Sequence, residues 1–337
     1  MLNSSNVSNP VWSSYDYFAC IIYWITGFIS VPANIFLLFL VFFKSPQNLK
    51  VYRVFIANAT ISDLVFGFST TLAQIRIIPN KWAFAYVSLG PAAWIGGSKG
   101  GYLVYCIMLH SLFYTFLCFP VSFGFRYYIL VKPAPKVSSC VKFCLCLWLI
   151  ALVQHILFII SESPEQEIRE YLSKNKPGYN LTDFALSGNH MINSPLTSIT
   201  LATIVLPMFP IYILVIYFYN KVHSYLMANS LMLQKSTIKS HKRLMRALII
   251  QALLPIFFIF PPIILYGLYH LEIINSTLIE YLVYTLFSFF PAISPLVTIY
   301  YVRPYKNFVI SLFKLRPVVE PSGGLKTDLP TPSSVKY

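Results

Sequence analysis

Residues 143–160 read FCLCLWLIALVQHILFII, a run of eighteen residues without a single Asp, Glu, Lys or Arg. A helix needs about 20 mostly apolar residues to cross the hydrocarbon core of a bilayer, so this run predicts a transmembrane helix. The whole chain of 337 residues has the same character, with 57% hydrophobic and only 11% charged residues. A soluble domain carries roughly 25% charged residues, so the composition excludes an ordinary soluble enzyme.

Six further apolar runs accompany this one, which predicts seven transmembrane helices. Together the runs cover residues 18–43, 54–75, 95–125, 143–160, 199–219, 247–269 and 281–302. Their apolar residues do not alternate with polar ones, so a transmembrane β-barrel is disfavoured. We therefore expect an all-α polytopic membrane protein, with a seven-helix bundle over residues 18–302 and no soluble domain or internal repeat.

The distribution of Lys and Arg predicts the orientation of the bundle. If the N-terminus is outside, nineteen of the 25 Lys and Arg residues fall on cytoplasmic segments and five on outer ones. Lys and Arg favour the cytoplasmic side, so residues 1–17 are expected to be extracellular. The net charge of +14 then belongs mainly to an inner face that meets anionic lipids and cytoplasmic partners, and it does not indicate nucleic-acid binding.

The segments outside the bundle carry their own signals. In residues 303–316 apolar residues recur at helical spacing, which predicts a short helix on the inner membrane surface. Residues 317–337 are rich in Pro, Ser, Gly and Thr, which predicts a disordered cytoplasmic tail. Sequons on the outer segments predict glycosylation at Asn3, Asn6, Asn180 and Asn275.

None of the six cysteines lies on a predicted outer loop. A disulfide in these loops is therefore not expected, and the cysteine spacings do not form a metal site. Without a disulfide, we expect the long outer loop of residues 161–198 to be more mobile and the pocket beneath it less lidded.

Four polar residues at membrane depth are functional candidates, because polar and ionisable groups are costly there. They are Asn34 in the first helix, Asp63 in the second, Thr115 in the third and Ser294 in the seventh. We expect them to share a water-filled polar cluster. Two interpretations of Asp63 stay open: a site for a sodium ion or proton, and a structural hydrogen-bonded carboxylate.

Several motifs resemble those of rhodopsin-like G-protein-coupled receptors. The second helix contains Asn58-Ala-Thr-Ile-Ser-Asp63-Leu, which is similar to Asn-Leu-Ala-x-Ala-Asp-Leu. Phe125-Arg126-Tyr127 stands where that family has Asp-Arg-Tyr, and Ser294-Pro295-Leu-Val-Thr298 resembles Asn-Pro-x-x-Tyr. Phe125 replaces the acid that normally pairs with the arginine, so that ionic lock is not expected, and Thr298 replaces the tyrosine.

The finer resemblance is to nematode serpentine chemoreceptors of class delta, over most of residues 18–310. The similar stretches include Ser45-Pro-Gln-Asn-Leu-Lys50, Ala85-Tyr-Val-Ser-Leu-Gly-Pro91 and Ser122-Phe-Gly-Phe-Arg-Tyr-Tyr128. This resemblance implies a chemosensory receptor that binds a small external ligand and activates a cytoplasmic heterotrimeric G protein. It also implies the plasma or ciliary membrane of a sensory neuron.

Two sets of functional residues are expected, of which the ligand set is chosen by depth in the predicted helices and the coupling set is implied by the resemblance. A pocket that opens outward between helices three, five, six and seven is expected to bind the ligand through Gln74, Tyr102, Tyr105, Met108, Leu109, Leu112, Phe257, Tyr284 and Phe287. Their character favours a small, largely apolar ligand, although core packing is the alternative role for most of them. G-protein coupling is expected to involve Arg126, Tyr127, Lys239, Lys242, Arg243 and Arg246. An ordinary snorkelling cation is the alternative for Arg126.

A membrane transporter and a ligand-gated channel are the competing classes. A transporter would favour repeated halves, whereas this chain has an odd number of predicted helices and no repeat. No selectivity-filter loop is visible. An enzyme is disfavoured because His110, His155 and Asp63 form no known motif, and no cofactor or metal is expected. The sequence leaves open whether the protein forms homo- or hetero-oligomers.

Overall fold

A computed structural model describes residues 12–46, 50–231, 235–274 and 276–313. Within these residues, seven helical segments are long and apolar enough to cross a membrane: Ser14–Phe43, Tyr52–Ala73, Pro91–Val131, Val137–Ile160, Pro195–Ala228, Ile238–His270 and Leu278–Tyr301. The expected seven-helix bundle is confirmed, and the chain is a multi-pass membrane protein. The sequons at Asn3, Asn6 and Asn275 and the predicted tail of residues 317–337 lie outside the described residues.

The secondary structure of the described residues is predominantly helical. The helices are α1 (Ser14–Phe43), α2 (Tyr52–Ala73), α3 (Pro91–Val131), α4 (Val137–Ile160), α5 (Glu165–Asn175), α6 (Pro195–Val205), α7 (Met208–Ala228), α8 (Lys235–Phe258), α9 (Phe260–His270), α10 (Leu278–Tyr301) and α11 (Arg303–Phe313). The strands are β1 (Ile75–Asn80), β2 (Ala83–Ser88) and β3 (Ala185–His190).

Proline interrupts the fifth and sixth spans. The fifth consists of α6 and α7, which are separated at Leu206 and Pro207, and the sixth consists of α8 and α9, which are separated at Ile259. Proline lacks an N–H donor and its ring crowds the preceding turn, so the helical hydrogen-bond ladder is broken where Pro207, Pro261 and Pro262 stand. Each of these spans is thus two rigid segments joined at one point.

The helices extend past the apolar runs that predict them. Helix α1 begins at Ser14, four residues before residue 18, because the Ser13 hydroxyl accepts the Asp16 N–H at 3.2 Å and the Asp16 carboxylate accepts the Ser13 N–H at 2.8 Å. This reciprocal pair is a capping box. Helix α3 continues to Val131 and α4 begins at Val137, because the ends of these helices lie where polar residues meet headgroups and water.

Helix α3 occupies the centre of the bundle, whereas α4 faces the lipid. In the most apolar part of α3, 72% of the residues are buried, compared with 22% in α4. Glycines bring α1 and α2 close together, since a Cβ added to Gly67 would lie 2.1 Å from the Ser30 Oγ. Small residues commonly allow such close helix contacts in membranes.

The short helix α11 follows the last span, as the spacing of apolar residues in 303–316 predicts; its last three expected residues lie outside the described range. The Tyr305 hydroxyl is 2.7 Å from the Ser45 Oγ at the inner end of α1. The ammonium of Lys44 lies 4.5 Å from the centre of the Phe308 ring. These contacts hold α11 beside the cytoplasmic end of the first span.

A three-stranded antiparallel sheet covers the outer end of the bundle. Strand β1 pairs with β2 through a hairpin, and β2 pairs with β3 from the long outer loop, with Ala83 opposite His190 and Ser88 opposite Ala185. Every residue of β1 and β2 is buried. The sequence analysis did not identify this sheet.

The long outer loop is folded against this sheet and covers the outer end of the bundle, which differs from the less lidded arrangement that the absence of a disulfide predicts. Helix α5 packs on the sheet at Gly188, where an added Cβ would lie 2.2 Å from the Phe84 carbonyl oxygen and 3.1 Å from two Ile168 carbons. The Arg169 guanidinium donates to the carbonyl oxygens of Leu181 and Phe184 at 2.6 and 2.7 Å. Strand pairing and these contacts tie the loop down without a disulfide.

Candidate functional site

The ligand residues predicted on α3 lie in the buried centre of the bundle. Seven of the nine predicted residues belong to one core cluster: Tyr102, Tyr105, Met108, Leu109, Leu112, Tyr284 and Phe287. The Tyr105 and Tyr284 hydroxyls are hydrogen-bonded to each other, and their rings meet edge to face with centroids 5.5 Å apart. This bond joins the third span to the seventh.

The other two predicted ligand residues lie elsewhere. Phe257 is 66% exposed on the outside of α8, so its expected position in the pocket is wrong. The sequence could not show this, because a transmembrane helix is apolar on its lipid-facing side as well as on its buried side. Gln74 is buried in a left-handed conformation at the end of α2, where its Nε2 donates to the Thr71 carbonyl at 3.1 Å.

The outer sheet lies directly on the tyrosines of this cluster, and the sequence analysis missed its contribution. The Tyr86 ring of β2 lies 4.6 Å from the Tyr105 ring, measured between centroids. The Asn189 amide of β3 donates to the Tyr102 hydroxyl at 3.0 Å. A signal for the hairpin does exist, since Lys81 and Trp82 separate two runs rich in β-favouring residues.

A buried ion-pair network joins the sheet to the first and seventh spans. Arg76 of β1 donates through Nε and Nη2 to Glu280 Oε2 at 2.9 and 2.8 Å, and its Nη1 lies 3.6 Å from Asp16 Oδ1. The hydroxyls of Tyr179 and Tyr269 donate to Glu280 Oε1 at 2.6 and 2.8 Å. Charge-assisted hydrogen bonds of this kind are stronger than neutral ones.

The network keeps Arg76 charged although its side chain is buried. Burial by itself would lower the pKa of Arg76, but the Glu280 carboxylate and the nearby Asp16 outweigh this effect and raise that pKa above its ordinary value. The sequence carries no local signal for this pairing, because residues 76 and 280 are 204 positions apart.

An outward-opening cavity of about 490 Å³ lies beside this network. Its lining includes Asn80, Lys176, Tyr179, Tyr269 and His270. Lys176 donates to the Tyr269 hydroxyl at 3.0 Å, and burial lowers the pKa of Lys176. The volume of this cavity is in the range of small-molecule sites. Tyr179 and Tyr269 connect the cavity directly to Glu280.

Three of the four polar residues expected to cluster at membrane depth do so. Asp63, Thr115 and Ser294 line a cavity of about 40 Å³, which is enough for a water molecule. Gln251 donates to the Ser294 hydroxyl at 3.1 Å from the sixth span. Asp63 Oδ1 has no hydrogen-bond partner among the described residues. Both interpretations of Asp63 are compatible with this arrangement.

Asn34 lies outside the residues that line this cavity. Its Nδ2 donates to the Pro291 carbonyl at 3.0 Å and to the Ser30 carbonyl at 2.9 Å. The amide therefore connects α1 to α10 beside a proline. Pro291 precedes Ser294 by three residues on α10, so the residue that Asn34 contacts lies less than one helical turn from the cavity residue Ser294.

Arg126 is buried at the inner end of α3, with 1% of its surface exposed. Its guanidinium carbon lies 3.3 Å from the centre of the Tyr52 ring. Its Nε and Nη2 have no hydrogen-bond partner within the described part of the chain. Phe125 cannot supply an acidic partner and instead packs on Phe55, with centroids 4.4 Å apart. Tyr52 thus occupies the contact that an acid makes in rhodopsin-like receptors.

The remaining residues predicted for coupling lie on the cytoplasmic side. Tyr127 is partly buried against the core. Four cations of α8 line one cleft together: Lys239, Lys242, Arg243 and Arg246. Arg126 is not among the residues that line this cleft. The structure therefore separates the predicted coupling residues into a buried arginine and a basic cleft.

Asn180, the sequon on the long outer loop, has an exposed side chain. Its Oδ1 accepts a hydrogen bond from the Thr182 hydroxyl at 2.8 Å. These two residues are the first and third positions of the sequon, so the acceptor amide and the hydroxyl meet in an accessible turn.

Comparisons with known proteins agree with this architecture. Residues 19–311 match the family described as serpentine type 7TM GPCR chemoreceptor Srd. The chain is similar to serpentine receptor class delta-19 of Caenorhabditis elegans, with 28% identity over 291 residues and 85% of each chain covered. It is 29% identical to class delta-32 of the same organism over 299 residues, which covers 86% of this chain and 85% of that protein.

Proposed function

Because this chain belongs to the Srd family of serpentine seven-transmembrane chemoreceptors, we propose that it binds a small external ligand between its helices and activates a heterotrimeric G protein inside the cell. The observation that carries this proposal is the position of two functional side chains, Tyr105 and Arg126, on the same helix α3. Near its outer end this helix holds Tyr105, which is bonded to Tyr284, and near its inner end it holds the sequestered Arg126. One helix therefore connects the two sites that signalling must couple.

At the outer end, the tyrosine cluster favours a small, mainly apolar ligand with one or two polar atoms. Aromatic rings provide most of the surface, and the Tyr105 and Tyr284 hydroxyls provide polar groups that a ligand would compete for. The cavity beside Tyr179 and Tyr269 opens outward next to the Glu280 network, and we propose it as the place where a ligand first binds. A ligand that enters there meets the Glu280 network, which holds the sheet over the cluster.

At the inner end, Arg126 has hydrogen-bonding capacity to offer a partner. Its Nε and Nη2 are without hydrogen-bond partners among the described residues, and a buried unpaired donor costs free energy. Acceptors on a G-protein α subunit would satisfy these donors once Arg126 leaves Tyr52. Tyr127 and the cations of α8 border the surface that would open.

The proline-broken spans provide the movement that the proposal requires. In the sixth span, α8 can turn about Ile259 while α9 stays beside the outer cavity, and the fifth span has a comparable joint at Leu206. A ligand activates only if it binds the open arrangement more tightly than the closed one, because equal affinity for both shifts no population. We place this receptor in the plasma or ciliary membrane of a sensory neuron.

The test is a nucleotide-exchange assay on cells that express the full chain, screened against volatile and water-soluble odorants. The parent protein is compared with Arg126→Ala and with Lys136→Ala, an exposed cation on the short loop between α3 and α4, at matched surface levels. We expect an odorant response that Lys136→Ala retains and Arg126→Ala loses by at least tenfold. Tyr105→Ala should shift the potency of the active odorant.

Three outcomes would contradict the proposal. A response that Arg126→Ala retains in full would remove Arg126 from coupling. A ligand-gated current or solute uptake without nucleotide exchange would favour the channel or transporter class. Silence of a surface-expressed protein with every G protein supplied would argue against coupling itself.

A further inference from the structure

A strongly basic cleft lies at the cytoplasmic end of the sixth and seventh spans. It has a volume of about 580 Å³ and is bounded by α8, the end of α10 and the start of α11. Six of its nine lining residues are cations: Lys235, Lys239, Lys242, Arg243, Arg246 and Arg303. Tyr300 and Tyr301 add two hydroxyl groups, and no acid is among the lining residues.

The cations of α8 form one stripe along the helix. Lys239, Lys242 and Arg246 follow Lys235 at intervals of four, seven and eleven residues, so they share a face. Like charges at this spacing repel one another and destabilise a helix. Among the described residues, the cations that form ion pairs with acids are Arg76 and Arg169. Both lie on the outer side, away from this stripe. The stripe is therefore not neutralised by the described part of the chain.

The position of the cleft indicates a membrane lipid as its occupant. Tyr301 ends the seventh span, and Arg303 begins α11 two residues later. The cations of α8 stand at the inner end of the sixth span, which begins at Ile238. The cleft therefore opens at the depth of the inner-leaflet headgroups, where basic clusters attract anionic lipids.

The number of cations indicates a polyanion. A single phosphate monoester carries about −1.5 to −2 charges at neutral pH, which would leave most of the six cations uncompensated. Arginine binds phosphate oxygens through two parallel hydrogen bonds, and lysine acts as a mobile point charge. Arg243, Arg246 and Arg303 supply the first kind of contact, and the three lysines supply the second.

We propose that this cleft binds the multiply phosphorylated inositol headgroup of an inner-leaflet lipid. The headgroup lies between α8 and the α10–α11 junction, and its acyl chains extend into the bilayer along Tyr300, whose side chain is 55% exposed. The sequence analysis assigned four of these cations to G-protein contact alone. The lipid site does not depend on that role or on any ligand response.

The test measures binding directly on the purified full-length protein in nanodiscs. The nanodiscs contain phosphatidylcholine with a trace of fluorescent phosphatidylinositol 4,5-bisphosphate, and energy transfer from a dye on the protein reports occupancy. The test variant replaces three cleft cations by neutral residues: Lys239→Gln, Arg243→Gln and Arg246→Gln. The control removes the same number of exposed cations from outside the cleft: Lys132→Gln, Lys136→Gln and Lys142→Gln.

We expect the cleft variant to lower the affinity for the bisphosphate lipid by at least tenfold and the control variant by less than twofold. Raising the salt concentration should weaken binding to the parent protein, since the contact is ionic. Matched melting temperatures of the variants will show that both are folded. Binding should also be at least tenfold tighter for the bisphosphate lipid than for phosphatidylserine at equal total lipid charge.

Three results would overturn the proposal. Equal losses in the two triple variants would mean that only net charge matters. Equal affinity for phosphatidylserine would mean that the cleft does not recognise clustered phosphates. Competition by soluble inositol trisphosphate as strong as that of the lipid would assign the cleft to a free metabolite. Because no signalling is measured, a failure here leaves the proposed receptor function untouched.

Discussion

The guanidinium of Arg126 lies over the ring of Tyr52, 3.3 Å from the ring centre. Both side chains are buried, so this cation–π contact forms away from water. A desolvated contact of this type contributes about 2 kcal/mol. It connects the inner ends of the second and third spans, and Arg126 must break it to meet any cytoplasmic partner.

Replacing Tyr52 by alanine should therefore raise basal signalling. Loss of about 2 kcal/mol from the closed arrangement corresponds to a rise of up to roughly 30-fold in the ratio of open to closed receptor. Basal nucleotide exchange at matched surface level measures this. Tyr52→Phe keeps the ring and should remain close to the parent, and addition of Arg126→Ala should abolish the increase. A silent Tyr52→Ala of parental stability would contradict the role of this contact.

The Arg76–Glu280 pair should contribute strongly to the stability of the outer sheet formed by β1, β2 and β3. Glu280→Ala leaves the buried Arg76 charge without its main partner, which costs about 3–5 kcal/mol. Thermal unfolding in detergent should show a large loss for this variant. The double variant Arg76→Met with Glu280→Leu removes both members of this pair and should recover part of the stability, because the buried Asp16 loses Arg76 but keeps its hydrogen bonds from Ser13 and Tyr281. Additive losses would show that the two side chains act independently.

Substitution of Gly188 should separate α5 from the sheet. A Cβ at this position would lie 2.2 Å from the Phe84 carbonyl oxygen, so Gly188→Val cannot fit without movement of the backbone. Amide hydrogen exchange should become at least tenfold faster in β2 and β3. Gly178→Val is the matched control on the same loop, because nothing lies within 4 Å of its added Cβ. Unchanged protection from hydrogen exchange in Gly188→Val would contradict the packing of α5 on the sheet.

The Tyr105–Tyr284 hydrogen bond should appear as coupling between the third and seventh spans. Tyr105→Phe or Tyr284→Phe leaves the other buried hydroxyl without this partner, which costs about 1–3 kcal/mol. The double variant should cost less than the sum of the two, with an interaction energy of at least about 0.5 kcal/mol. Thermal unfolding of the four proteins closes this cycle, and strict additivity would mean that the bond contributes nothing.

The orientation predicts a glycan on Asn180. Asn180→Gln and Thr182→Ala each destroy the sequon, so both variants should migrate faster on a denaturing gel than the parent expressed in animal cells. Glycosidase treatment should bring the parent and the variants to one common mobility, because the variants keep the other outer sequons at Asn3, Asn6 and Asn275. Asn58→Gln, which alters a sequon inside α2, should leave the mobility of the parent unchanged. An untreated Asn180→Gln protein that migrates with the same mobility as the untreated parent would contradict a glycan at Asn180.

Local features of the chain could be predicted because each depends on about 20 neighbouring residues. Apolar length predicts the seven spans, and the Lys and Arg bias predicts their orientation. The spacing of apolar residues in 303–316 predicts the helix that the structure describes as Arg303–Phe313. In the motif around Arg126, Phe125 replaces the usual acid, which predicts that Arg126 has no acidic partner there. In the structure Phe125 packs on Phe55 instead. These signals do not require knowledge of which helices touch.

Only the tertiary structure decided the rest, because those features depend on contacts between distant residues. Strand β3 pairs with β2 about one hundred residues earlier, and Glu280 finds Arg76 across 204 positions. The rotation of each span was also undetermined, since lipid-facing and buried faces are both apolar. This is why Phe257 points outward whereas Tyr105 points into the core. The sequence by itself thus determined which segments cross the membrane, and it predicts their direction. Packing decided which side chains meet, because in a bilayer hydrophobicity does not distinguish the buried face of a helix from its lipid-facing side.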